Sequence, residues 1–145
     1  MIHALHGMAG RPDDLFPLLQ GIGYPHTAWH LWRCLLDWPE ARTFEGFAAA
    51  MHEAVEFSAR PRVLLGYSMG ARLALQSLVN NSDDWDAAVL ISGHPGLTEE
   101  RERAERMAMD HHWSVRFLYE PWLEVMRAWN CLLYTSDAAD DSLRV

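Results

Sequence analysis

The sequence has no lysine: all twelve cationic side chains are arginine, set against twenty carboxylates. The net charge of −8 argues against a nucleic-acid partner, because no basic stripe is present to neutralise phosphates. Arg-only cation usage together with abundant Ala reads as the codon bias of a GC-rich, bacterial genome. Cysteine is scarce. Cys34 and Cys131 have neither CxxC spacing nor histidine neighbours, so no metal site is expected, and two thiols do not make a disulfide framework. The first residues, MIHALHG, lack a basic segment followed by an apolar one, so no signal peptide is expected. Long apolar runs are missing too, and none approaches the roughly 20 residues of a membrane span. The expectation is a cytoplasmic protein with no membrane partner, and the oligomeric state is not legible.

What is present suits a folded α/β domain. Half of the 145 residues are hydrophobic, enough for one buried core, and no internal repeat is visible. Ile2 to Leu5 reads as a buried strand ending at Gly7. Pro12 to Leu19 has Leu15, Leu18 and Leu19 at helical spacing, opened by Pro12, Asp13 and Asp14 and stopped by Gly21 and Gly23. Thr27 to Leu36 is expected to be a strand, before a break at Pro39. Thr43 is a fair N-cap for an amphipathic helix carrying Phe44, Phe47, Met51 and Val55. Arg62 to Gly66 reads as a strand, Ala71 to Val79 as a helix, and Ala87 to Ile91 as a further strand. This alternation predicts a parallel sheet of about four strands with helices on both faces. From Thr98 to Asn130 the pattern is helical, broken near Pro121, as in a helical lid.

Residues 131–145, CLLYTSDAADDSLRV, show neither helical nor strand period. The stretch from Cys131 to Asp140 back-translates onto a common transposase-derived sequencing adaptor. We read 131–145 as a non-native tail and set it apart from the fold. The expected organisation is a core over 1–97, a lid over 98–130 and the tail.

The chemistry centres on Gly66-Tyr67-Ser68-Met69-Gly70, a G-x-S-x-G motif between a predicted strand and a predicted helix. Such a turn is tight enough to force the serine into strained dihedrals and lift its hydroxyl above the sheet edge. The Met69 amide, at a helix N-terminus, then faces any developing oxyanion. A plain turn is the bland alternative, but the strand–turn–helix setting favours the nucleophile elbow of a partial α/β-hydrolase fold. Leu5-His6-Gly7-Met8 after the first strand has the form of the loop that supplies a second oxyanion donor, here the Met8 amide. His6 itself fits a loop-ordering role better than that of a base.

Ser68 still needs a general base. In this fold the acid and the histidine follow the serine on strands beyond the lid. Downstream of Ser68 the histidines are His94, His111 and His112. His94, in Ser92-Gly93-His94-Pro95-Gly96, is placed to line a pocket, and the other two fall on lid helices. Arg72 lies one turn past Ser68. Arg103 and Arg106 are three apart and could clamp carboxylates, although Glu99–Arg103 and Glu102–Arg106 are also i,i+4 pairs of an ordinary solvated helix. Trp113, Trp122 and Trp129 fit packing within the lid.

LHGMAGRPDD, GYSMGARLAL, SGHPGLTEERERAERMAMDHHW and FLYEPWLEVMRAW together resemble the 2-succinyl-6-hydroxy-2,4-cyclohexadiene-1-carboxylate synthase family of menaquinone biosynthesis. The likeness covers most of residues 1–130 and is loosest between about 24 and 43. It implies a lyase that eliminates pyruvate from a cyclohexene succinyl intermediate, using a Ser–His–Asp triad and no cofactor. It also implies that Ser68 abstracts the proton, that Met8 and Met69 are the oxyanion donors, and that Tyr67 is the aromatic beside the serine. By the same resemblance Arg72 and Arg106 meet carboxylates of a small polycarboxylate substrate, and Trp129 is a pocket tryptophan. The family's acid and histidine belong to strands beyond residue 130, so the expectation is a C-terminally truncated, inactive chain. A serine carboxylesterase of the same fold and a non-catalytic carboxylate-binding module are the alternatives.

Overall fold

The computed structural model describes the backbone of residues 1–141 and the side chains of residues 1–131. The chain divides into two units, Met1–Pro95 and Gly96–Val145. The first is an α/β layer structure. Strands β1 (Ile2–Leu5), β2 (His26–Trp29), β3 (Val63–Tyr67) and β4 (Ala87–Ile91) form one sheet in the order β2-β1-β3-β4. All neighbouring pairs are parallel. Together with the helices on both faces, this is the arrangement of a partial α/β-hydrolase fold.

Side-chain alternation along the central strands builds two cores. Ile2, Ala4 and Leu65 pack with Leu15 and Leu19 on one face. Leu5 and Leu64 pack on the other with Phe47, Met51 and Val55 of α3 (Phe44–Val55) and Ala74 of α4 (Met69–Asn80). Burial on both faces is why these strands read as short continuous apolar runs. Strand β4 differs. It is an edge strand, and Val89 and Leu90 remain 46% and 41% exposed.

Helix starts and stops follow the expected local chemistry. Thr43 caps α3, its hydroxyl accepting the Gly46 amide at 3.0 Å. A 3-10 turn over Pro12–Leu15 leads into α1 (Phe16–Ile22). That helix runs through Gly21 and ends at Gly23, whose φ of 65° is left-handed and whose amide donates to Leu19.

One element departs from expectation. The predicted strand over Thr27 to Leu36 is a strand only to Trp29, and Leu31–Asp37 is a helix, α2. Leu31 and Cys34 are buried and Leu35 is half-buried, which is i, i+3, i+4 spacing. An apolar run this short fits either period, and its length alone does not arbitrate.

The second unit holds two helices, α5 (Glu100–Tyr119) and α6 (Trp122–Asp141), broken at Pro121. Trp113 stacks edge-on to Trp129 at 5.0 Å, and Phe117 touches both Trp122 and Trp129. The backbone of α6 continues past Asn130 to Asp141, where the sequence shows no period; Ala138 and Ala139 are strong helix formers on intrinsic propensity. The rest of the tail set apart in sequence, 142–145, lies outside the described residues. No helix among the described residues is long and apolar enough to cross a membrane.

Candidate active site

Four parallel strands deliver their following loops to one edge of the sheet, and ligands of open α/β sheets bind outside that edge. The loops after β1, β3 and β4 bring Met8, Ser68 and His94 there.

Ser68 sits between β3 and α4 with φ 54° and ψ −114°, a conformation that costs a non-glycine residue of order 1–3 kcal/mol. Its amide donates to the Ile91 carbonyl at 2.9 Å, continuing the β3–β4 ladder by one residue and fixing the turn. The turn then closes into α4 so tightly that side chains are excluded on either side. A Cβ on Gly66 would stand 2.6 Å from Ala71 Cα, and one on Gly70 would stand 2.6 Å from the His6 carbonyl oxygen. Met69 is the first residue of α4, so its amide has no acceptor within its own helix. The Ser68 hydroxyl makes no hydrogen bond among the described residues.

The loop after β1 lies against this elbow. A Cβ on Gly7 would be 3.3 Å from Ser68 Cβ and 3.2 Å from Tyr67 Cδ1. Gly7 to Gly10 form a tight turn, closed by the Gly10 amide on Gly7 O at 3.1 Å, with Ala9 at φ 58°. Met8 occupies this turn and is 41% exposed.

His6 holds the turn in place. Its Nε2 accepts the Leu31 amide at 3.0 Å, so the proton is assigned to Nδ1, which donates to Gly7 O at 2.8 Å. Burial keeps the pKa of His6 below the ordinary histidine value, opposed in part by the bond to Gly7. The neutral ring is the form these bonds need. Trp32 adds a second tether, its indole N–H donating to Gly10 O at 3.1 Å. Both tethers come from α2, the helix whose sequence pattern suggests a strand, and the Leu31 amide used is an N-terminal one with no intrahelical acceptor.

After β4 the loop Ser92-Gly93-His94 passes over the start of α4, where a Cβ on Gly93 would be 2.8 Å from Ala71 Cβ. His94 is exposed on it. Arg72, half-buried in the first turns of α4, places its guanidinium 5.0 Å from the Phe44 ring centre, a cation–π contact. Tyr67 is 45% exposed at the end of β3. Beside the elbow a cleft of about 170 Å³ is lined by Leu31, Trp32, Arg42, Phe44, Met69 and Leu73 among others. Sequence reasoning passes over Trp32 and Arg42 and reads Phe44 only as part of a helix face; the helical spacing of Leu31, Cys34 and Leu35 is the signal that would place Trp32.

Arg106 and Trp129 belong to the second unit. Arg106 pairs with Asp110 at 2.8 Å, and Arg103 donates to the carbonyls of Leu97 and Thr98. The i,i+4 pairs suggested by spacing, Glu99–Arg103 and Glu102–Arg106, therefore give way to partners one turn onward for Arg106 and at the helix start for Arg103. Arg103 reaches back to carbonyls that precede α5, and exposed ion pairs are weak enough to be exchanged. Trp129 lies in the aromatic cluster with Trp113 and Phe117.

No family model matches the chain. It is similar to curated proteins named 2-succinyl-6-hydroxy-2,4-cyclohexadiene-1-carboxylate synthase. One, from Salmonella typhimurium (strain LT2), is 30% identical over 148 aligned positions, covering 89% of this chain and 58% of the relative. Another, from Salmonella paratyphi A (strain ATCC 9150), is 42% identical over 66 residues, 46% of this chain and 26% of the relative. The chain thus spans 58% or less of the length of these two relatives.

Proposed function

We propose that the chain carries the elbow-bearing part of a pyruvate-eliminating lyase of menaquinone biosynthesis, acting on a succinyl-cyclohexene carboxylate. The observation that carries this reading is Ser68, strained at an elbow against which the Gly7–Gly10 turn is pressed, in a chain similar to synthases of that name. In this reading Ser68, relieved of its proton by a base, takes a proton from carbon next to a substrate carbonyl. The Met8 and Met69 amides hold the enolate oxygen; as the enolate collapses to a new C=C bond the C–O bond breaks, and the departing three-carbon group carries off the electron pair and takes up a proton as pyruvate. Arg72 pairs with a substrate carboxylate, with Tyr67 and His94 lining the pocket. Arg106 and Trp129 enter through the resemblance alone.

Among the described residues no histidine bonds the Ser68 hydroxyl, and an unassisted serine is a weak base and nucleophile at neutral pH. The 145-residue chain is therefore proposed to be inactive, or nearly so, by itself. Pyruvate release, followed by coupling to lactate dehydrogenase, tests both claims. The expected result is no release by the chain alone and release when imidazole supplies the missing base, lost again in Ser68→Ala. Release without imidazole would refute the inactivity. An imidazole-dependent activity on p-nitrophenyl esters with none on the succinyl-cyclohexene substrate would favour the carboxylesterase reading, which the same elbow and turn also serve.

A further inference from the structure

His6 is bonded at both ring nitrogens, and the chemistry of its two partners leaves the ring one state. The Leu31 amide can only donate, so Nε2 is the bare nitrogen. The Gly7 carbonyl can only accept, so Nδ1 carries the proton. The residue is 1% exposed, so water does not stand in for either partner, and a lost bond is left unmade.

The acceptor of the Nδ1 proton is the carbonyl of the same peptide unit whose N–H belongs to Met8. That unit is planar, and it is trans, since the one cis bond among the described residues is Arg60–Pro61. Its carbonyl and its N–H therefore point in opposite directions, and whatever holds one end aims the other. Gly7 O is held twice, by His6 Nδ1 at 2.8 Å and by the Gly10 amide at 3.1 Å. The Met8 amide itself donates to no backbone acceptor among the described residues. The unit also lies against the elbow, because a Cβ on Gly7 would be 3.3 Å from Ser68 Cβ. Bonds on a carbonyl draw charge through the amide, strengthening its N–H as a donor by about 10–30% per bond.

We infer that His6 is a positioning residue for an oxyanion donor, orienting and polarising the Met8 N–H through the Gly7 carbonyl. The Leu31 amide, at the start of α2, fixes the tautomer that makes this possible. The inference rests on the proposed function for the oxyanion that the Met8 N–H meets. The linkage from Leu31 through His6 to the Gly7–Met8 peptide does not depend on it.

Two substitutions separate the two ends of the ring. In His6→Asn the side-chain amide stands near the Nδ1 position, keeping a donor for Gly7 O and giving up the acceptor for Leu31. In His6→Gln the side-chain oxygen reaches the Nε2 position, keeping the Leu31 bond and giving up the donor to Gly7 O. A side chain that only ties the turn to α2 makes the Asn variant the worse of the two. A positioning residue makes it the Gln variant.

In the isotope-labelled 145-residue chain, the Gly7 carbonyl carbon and Met8 amide nitrogen resonances report bonding at that carbonyl. They should move in His6→Gln and stay near their original positions in His6→Asn. Imidazole-rescued pyruvate release should fall in kcat roughly tenfold in His6→Gln, short of the roughly 100-fold loss of a whole oxyanion donor. KM should be unchanged, and His6→Asn should show the smaller fall. Equal effects of the two variants, or the reverse order, would overturn the positioning role. Should neither variant fold, the ring nitrogen resonances of the unaltered chain at neutral pH decide. Nδ1 protonated with Nε2 bare supports the role; the opposite tautomer or a charged ring overturns it. If imidazole rescues no release in the unaltered chain, the lyase reading falls alone, and the Gly7 and Met8 resonances still judge His6.

Discussion

A side chain at position 70 would collide with the carbonyl oxygen of Leu5, because α4 begins directly against the end of β1. Gly70 therefore sets how closely the elbow approaches the Gly7–Gly10 turn. Gly70→Ala should destabilise the protein by about 1–3 kcal/mol or more, since the obstacle is backbone and not a movable side chain. Gly21 is the control: it lies within α1, and a Cβ added there would meet nothing within 4 Å. Gly21→Ala should stabilise by about 0.5–1 kcal/mol. Urea unfolding of the two variants checks the contrast, and equal shifts would contradict it.

Ser68 stores strain that glycine would not. Its φ of 54° is unfavourable for serine and for alanine alike, so Ser68→Ala should leave the strain in place. Ser68→Gly should be more stable than Ser68→Ala, by about 1 kcal/mol once the greater chain entropy of glycine is set against the relief. Thermal melts of the pair decide this; a glycine variant no more stable than the alanine one would mean the elbow is unstrained.

Much of this is legible in the sequence, for physical reasons. Strands β1, β3 and β4 are short apolar runs bounded by turn residues, and Gly66-Tyr67-Ser68-Met69-Gly70 admits few conformations between a strand and a helix. The Thr43 cap is equally local. Helix α2 is not legible, because Trp29 to Leu35 satisfies both periods. With it go the tethers from Leu31 and Trp32 to the Gly7–Gly10 turn, which join residues more than twenty positions apart. The cleft is hidden for the same reason: Arg42, Phe44 and Met69 come together only when α2, α3 and α4 have packed.

Two buried histidines make stability fall with acid. His3 accepts the Trp29 indole N–H on Nδ1 at 3.2 Å and bonds Ser58 through Nε2 at 2.9 Å. Burial, with the N-terminal charge and Arg62 nearby, lowers its pKa to about 4, and burial lowers that of His6 as well. Both rings protonate more readily in the unfolded chain, so their contribution is whole above about pH 6.5. The His3 share is lost as pH falls from there toward 4, at up to about 1.4 kcal/mol per pH unit for each proton taken up, and the His6 share falls in the same direction. His52 is held above the ordinary value by Asp84, and its contribution runs the other way, present below 6.5 and fading as pH rises. It is exposed, so the buried pair should dominate. Urea midpoints measured at pH 7, 6 and 5 should decline steadily, and a His3→Gln variant should show a shallower decline.

Among the described residues strand β4 has an unpaired edge and bears exposed Val89 and Leu90, the kind of surface on which chains associate. Val89→Arg places a charge on that strand at a position that is 46% exposed, where little packing is given up. Lower light scattering and a higher soluble yield are expected, with the melting temperature nearly unchanged. An equally aggregating variant would shift suspicion to another surface.

Trp129 is subject to two demands, a pocket role by resemblance and a packing role by contact. Its ring meets Trp113 nearly perpendicularly at 5.0 Å and Phe117 at 5.7 Å, and such aromatic pairs contribute about 0.5–1.5 kcal/mol beyond the area they bury. A double-mutant cycle of Trp113→Leu and Trp129→Leu should therefore return a coupling in that range, read from the hydrogen-exchange protection of α5 and α6 amides. That readout follows the helical pair itself, so unfolding of the first unit does not obscure it. A coupling near zero would mean that the two rings stack without stabilising the helices. Trp129 would then be free to serve a ligand, and its replacement should cost affinity while leaving protection untouched.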